Sequence, residues 1–326
     1  MEKKIKYHRE DGILVQNPKR EKLTWKLIRK QRFLYFMSVP FIIWIIIFKY
    51  VPLWGWTMAF QNVKPKSFAL PIWEREWTGF EQFTELFSRP RFYEVLRNTL
   101  AMSGLGIVLG FVTSITFALL LNEMRALKYK KLTQTISYLP HFVSWVIIAS
   151  IAQIFLKDMG TLNEIFMKID LINEPIKFLS KGGPQFWIVV CLVNVWKEVG
   201  WDAIIYLSAM TGIDQALYEA AKVDGAGRFK RMWHITLPGI RPTIIVLLIL
   251  SIGSVLNVGM ERQMLMSNAL TKDYADVLDW YAYTYGIGKN NYSFGTAIGI
   301  FKSGISLILI FLANKLAKRF GEGSLV

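Results

Sequence analysis

The side chains best placed to do chemistry in this sequence interrupt an apolar run, residues 186–207, where Asn194, Lys197, Glu198 and Asp202 stand among Val, Ile, Leu and Trp. Ionisable groups in a membrane span are costly and face a cavity or a partner. Asn194 and Glu198 are four residues apart, as are Lys197 and Trp201, so each pair can share a helical face. One reading is a polar translocation path flanked by Trp196 and Trp201. The other is pairing with neighbouring helices that only holds a bundle together. Asn257, in a later apolar run, fits either a path or an interhelical hydrogen bond, because its amide both donates and accepts.

Other chemistries find little support. Cys191 is the only cysteine, and His8, His141 and His234 are far apart, so neither a disulfide framework nor a metal-ligand set is expected. A phosphate loop of the form G-x-x-x-x-G-K-[ST] is missing from the chain, so any ATP hydrolysis must come from another polypeptide. A membrane enzyme lacks paired carboxylates or histidines at a common depth. An ion-gradient-driven secondary transporter using Lys197, Glu198 and Asp202 as a proton or sodium site remains an alternative, although no convincing internal repeat supports it.

The elements that must position these groups are membrane helices. The 326 residues are 53% hydrophobic and 19% charged, with a mean hydropathy of +0.31, which is a membrane composition. The net charge of +15 would suggest nucleic acid for a soluble protein. Here the basic residues collect beside apolar segments, so a bilayer and no nucleic acid is expected. A span needs about 20 apolar residues, and six stretches qualify: 33–51, 95–121, 136–156, 186–207, 243–260 and 294–313. These define a six-span domain over 33–313, preceded by a basic segment 1–32 and followed by a tail 314–326. No cleavage site follows the first run, which reads as a retained span.

Lys19, Arg20, Lys22, Lys26, Arg29, Lys30 and Arg32 place the leader in the cytoplasm, and the basic loops at 125–131, 222–241 and 315–319 fall on the same side. Both termini are then cytoplasmic. The opposite loops hold Trp54, Trp56, Trp73, Trp77 and Trp280, which serve either as interfacial belts or as stacking platforms for sugars. Gly106 with Gly110 and Gly295 with Gly299 recur at spacing four, consistent with close helix packing or simply with the frequency of glycine in membrane helices.

Between the fourth and fifth spans lies a mostly polar cytoplasmic stretch, 212–240. Asp214 is placed to cap a short helix from Gln215 to about Val223, and Gly225 to break it. A second short helix from Arg228 would stop at Ile235, ahead of Leu237 and Pro238. The expected product is a helix–turn–helix elbow on the membrane surface.

Glu219, Ala220, Ala221, Gly225, Ile235, Leu237 and Pro238 match the pattern E-A-A-x3-G-x9-I-x-L-P, with Asp224 just before the glycine. This signature resembles that of the permease subunits of binding-protein-dependent ABC importers. Asn98 and Thr99, the run Trp77, Gly79, Phe80 and Phe83, Gly160 with Asn163, and residues 196–227 throughout are similar to the sugar permease branch serving complex oligosaccharides. The resemblance runs from about residue 33 onward and leaves 1–30 unmatched. It implies an all-α membrane protein of six transmembrane helices with the type I importer permease fold, in a bacterial cell membrane, and no enzyme. The 219–238 loop would be the coupling helix seated in a cytoplasmic ATPase. The implied partners are a second permease, two ATPase subunits that use ATP and Mg, an extracytoplasmic solute-binding protein and a carbohydrate. No cofactor would be bound by this chain. Within the polar path, Trp196 or Trp201 would stack against sugar faces. Glu261, Arg262 and Gln263, just past the fifth span, could touch either solute or binding protein.

Overall fold

A computed structural model describes residues 7–10, 13–16, 29 and 31–319. The chain divides into two units, Met1–Gly55 and Trp56–Val326. In the first, strands β1 (Tyr7–Glu10) and β2 (Ile13–Gln16) pair antiparallel with Tyr7 opposite Gln16, an element that the sequence reading of the basic leader did not anticipate. Helix α1 (Arg32–Ile45) follows, tolerates Pro40, and continues as π-helix over Ile46–Tyr50. All its side chains are exposed, as suits a helix that is apolar all round and surrounded by lipid.

The second unit is helical. Helix α2 (Glu81–Ser88) leads through Arg89 into α3 (Pro90–Glu123), whose first turn carries the proline that lacks an amide needed elsewhere. Then come α4 (Leu127–Tyr138), α5 (Trp145–Leu156), α6 (Thr161–Lys168) and α7 (Gln185–Thr211). After these lie α8 (Gln215–Val223), α9 (Arg228–Arg231), α10 (Leu237–Gly239) and α11 (Arg241–Gly253). Short helices α12 (Glu261–Met266), α13 (Lys272–Ala275) and α14 (Leu278–Tyr283) precede α15 (Tyr292–Arg319).

Four of the described helical stretches are long and apolar enough to cross a membrane: Arg32–Phe60, Pro90–Glu123, Trp145–Lys168 and Tyr292–Arg319. A fifth arises if Arg228–Gly239 and Arg241–Gly253, bent by 57° at Ile240, count as one broken span. The sixth expected span lies within α7. At 27 residues it rises about 40 Å, but its polar residues keep it out of the apolar class.

Two span boundaries are corrected. The expected 136–156 helix is interrupted at Pro140, where a 3-10 turn, Leu139–Phe142, ends α4 and α5 starts only at Trp145. Proline removes an amide and clashes with the preceding turn. The expected 243–260 helix stops at Gly253. Residues 254–260 leave the helix, and Gly259 has φ +78°, a conformation that hydropathy does not register.

The long helices α3 and α7 pack along each other, α4 crosses α7, and α11 packs on α15. At the α4–α7 crossing a Cβ on Gly200 would lie 2.2 Å from the Ser137 carbonyl oxygen, so only glycine allows that approach. The residues opening the second span tie it to distant backbone. Asn98 Nδ2 donates to the Asp273 and Asp276 carbonyls at 2.7 and 3.0 Å, and Thr99 Oγ1 accepts from the Leu278 N–H at 3.0 Å. Buried Asn163 likewise holds Ile176 through both backbone atoms, at 2.9 and 3.0 Å.

Candidate functional site

Two groups of side chains stand out: an exposed elbow between α7 and α11, and a polar cavity along α3 and α7. In the elbow, Asp214 Oδ1 accepts from the Ala216 N–H at 2.9 Å and opens α8. The helix closes with Gly225 N–H on the Lys222 carbonyl at 3.1 Å and Ala226 N–H on the Ala221 carbonyl at 2.8 Å. These two bonds form a Schellman closure, which requires a left-handed residue after Asp224. Gly225 supplies it with φ +73° and has open space around its Cα, so the constraint there is backbone conformation, not crowding.

Tyr218 Oη and the buried Thr236 Oγ1 lie 2.9 Å apart and lock α8 against the return segment. That segment departs from the expected stop at Pro238. It runs as α9, a π-turn over Met232–Thr236 and α10, so Ile235, Leu237 and Pro238 are all helical. The Leu237 N–H closes the π-turn on the Met232 carbonyl, and this wider turn lets the chain pass Pro238, which has no amide to offer. Ala221 is half-buried, whereas Glu219, Ala220 and Asp224 are exposed. The same elbow leaves Val223 88%, Phe229 79% and Trp233 66% exposed. Charge and apolar area on one projecting element fit a protein surface. The sequence reading missed the aromatic contribution of Phe229 and Trp233, whose signal was large apolar residues in an otherwise polar stretch.

The cavity measures ≈ 340 Å³. Among the nominated path residues, Asn194, Glu198 and Asn257 line it. Asn257 arrives there because residues 254–260 have left the helix. The break is pinned by Asp279, whose Oδ2 accepts from the Gly259 N–H at 2.7 Å and whose Oδ1 meets the Lys302 ammonium from α15. Gly106 and Gly110 also line the cavity and would meet nothing within 4 Å as alanines. They therefore open space and do not seat a neighbouring helix. Gly295, in contrast, does sit against a backbone, since a Cβ there would lie 2.7 Å from Gly286 Cα.

Trp196, Lys197 and Trp201 are placed elsewhere. Lys197 is 5% exposed; its Nζ donates to the His141 carbonyl at 2.6 Å and lies 3.1 Å from Glu198 Oε1. It thereby holds the 3-10 turn at Pro140 against α7. Trp201 stacks on the His141 ring with centroids 4.3 Å apart and planes within 1°. Trp196 is half-exposed on an apolar cleft with Ile188 and Leu192. Other polar residues line the cavity as well, among them Ser114, which the sequence did not single out, Asp202, and Arg262, the last donating to Asn194 Oδ1 at 2.6 Å. No cluster of three metal-ligating side chains occurs among the described residues.

Comparison with known proteins agrees with this architecture. A family model described as "Binding-protein-dependent transport system inner membrane component" matches residues 105–322. Protein LplB of Bacillus subtilis (strain 168) is 46% identical over 93% of this chain and 94% of its own length. The polygalacturonan/rhamnogalacturonan transport system permease protein YteP of the same organism is 45% identical over 96% and 95%. A chain in the crystal structure of a bacterial alginate ABC transporter, in complex with alginate pentasaccharide-bound periplasmic protein, superposes with a TM-score of 0.82. It is 38% identical, over 93% of this chain and 100% of that one.

Proposed function

The chain belongs to the family of binding-protein-dependent transport system inner membrane components and is a permease subunit of an ABC importer, and we propose that its solute is a carbohydrate, taken up as an oligosaccharide. In this reading the α3–α7 cavity is its half of the path and a second permease supplies the other half. The names of YteP and of the alginate transporter, together with hydrogen-bonding groups along the cavity, support a sugar. An extracytoplasmic binding protein delivers it, and two cytoplasmic ATPase subunits, using ATP and Mg, drive the cycle. Both termini face the cytoplasm of a bacterial cell, in keeping with the basic loops.

The elbow is the joint to those ATPases. Glu219, Ala220, Ala221, Asp224, Gly225, Ile235, Leu237 and Pro238 form or support it, and the projecting face of α8 with Phe229 and Trp233 enters a groove of the ATPase. The observation that carries this is a rigidly closed elbow, with its carboxylate and aromatic groups exposed, on a chain that has no phosphate loop of its own. Proteoliposomes holding the complete transporter should take up binding-protein-delivered saccharide only with ATPases and ATP present. Glu219→Arg should cut that uptake at least about ten-fold, the scale of one lost charge-assisted contact. Uptake that persists without an ATPase would overturn the proposal.

A further inference from the structure

Charge is ordered along the cavity wall. Asn194, Glu198 and Asp202 line it from one face of α7, so about 6 Å of helix rise separates each from the next and about 12 Å separates Asn194 from Asp202. Arg262 is bound at the Asn194 end. Glu198 is engaged on both oxygens, by His141 Nδ1 at 2.5 Å and by Lys197 Nζ at 3.1 Å. Asp202, at the end nearer the elbow, has neither a hydrogen bond nor an ion pair among the described residues.

A second group at that end also lacks a partner. Ser114 of α3 lines the same cavity, is 1% exposed, and its Oγ has no hydrogen bond. Its level is set by its neighbours: Phe111 meets the Tyr206 ring edge-on at 6.5 Å, and Ala118 packs with Ala203 and Tyr206. Ser114 therefore lies across from the α7 turn that carries Asp202. A buried hydroxyl without a partner is costly unless something arrives to meet it. A carboxylate can only accept hydrogen bonds, whereas a hydroxyl can both donate and accept. The hydroxyls of a neutral sugar ring satisfy both. A uronate keeps ring hydroxyls, but where a neutral ring has its hydroxymethyl group it carries an ionised carboxylate, which offers Asp202 no proton and brings a like charge.

Resting on the reading that a carbohydrate passes along this wall, we propose that the Asp202–Ser114 end of the cavity is a subsite for a neutral sugar ring, which binds its hydroxyls and rejects uronate carboxylates. The test uses the complete transporter in lipid nanodiscs and two probes of one ring configuration, α-1,4-linked galactotetraose and tetragalacturonate. Saturation-transfer NMR titrations measure both. Wild type should bind galactotetraose about ten-fold or more tighter, Asp202→Asn should bring the two within about three-fold, and Asp202→Glu, which keeps the charge, should retain the preference. Ser114→Ala should weaken galactotetraose alone by about five-fold. Uronate binding that equals or exceeds galactotetraose binding, failure of both probes to bind, or a ratio unmoved by Asp202→Asn would overturn the subsite. ATP-driven uptake that favours the uronate would overturn the subsite and leave the carrier reading intact. The expected binding ratio without ATP-driven uptake would do the reverse.

Discussion

Replacing Lys302 by methionine tests the device that holds the fifth span open. Lys302 and Asp279 have side chains only 11% and 24% exposed, and Asp279 also accepts from the Gly259 N–H. Methionine keeps the length and apolar stem of lysine but leaves the carboxylate with one neutral donor. Removing one member of a fully buried ion pair costs about 3–5 kcal/mol. Since Asp279 keeps a quarter of its exposure and the Gly259 amide, the expected loss is about 3 kcal/mol, the low end of that range. Asp279→Asn should cost a similar amount, because it leaves the more buried Lys302 ammonium without its counter-charge and has a single oxygen where Asp279 uses two. The pair Lys302→Met with Asp279→Asn should be at least about 1.5 kcal/mol less damaging than the sum of the two, as expected for coupled contact residues. Unfolding of each variant in mixed detergent–SDS micelles gives these values. A Lys302→Met loss under about 0.5 kcal/mol, the range of ordinary surface changes, or strict additivity, would show that the ion pair does not hold the break. Transport should fall along with stability, since the same break carries Asn257 to the cavity.

Two further outcomes follow from local geometry. Gly225→Val places a β-branched residue at φ +73° and should destabilise the elbow by about 1–2 kcal/mol; a pull-down should show weaker ATPase assembly, with all spans still inserted by protease mapping. Asn98→Ala removes the donor shared by the Asp273 and Asp276 carbonyls and should cost about 2–3 kcal/mol, read as a lower unfolding midpoint and faster proteolysis in residues 267–278.

The elbow was legible in the sequence because its determinants are local. A capping aspartate, a glycine ten positions after the first helical residue and a proline act on the backbone within a turn or two of themselves, and tertiary context changed only how far the helix runs past Pro238. Hydropathy likewise located the apolar runs, since burial in lipid acts on each run as a whole. It could not locate the break after Gly253, which rests on Asp279 from α14 and Lys302 from α15, groups separated by 20 and more residues from Gly259. The four-residue spacing of Asn194, Glu198 and Asp202 indicated a shared face, but not which charges remain available. That was decided when His141, 57 residues from Glu198, and Lys197 took both oxygens of Glu198 and left Asp202 unpaired. Helical periodicity determines which way a side chain can point. Only the packing of distant segments determines what it meets there, and so which groups are left for a solute.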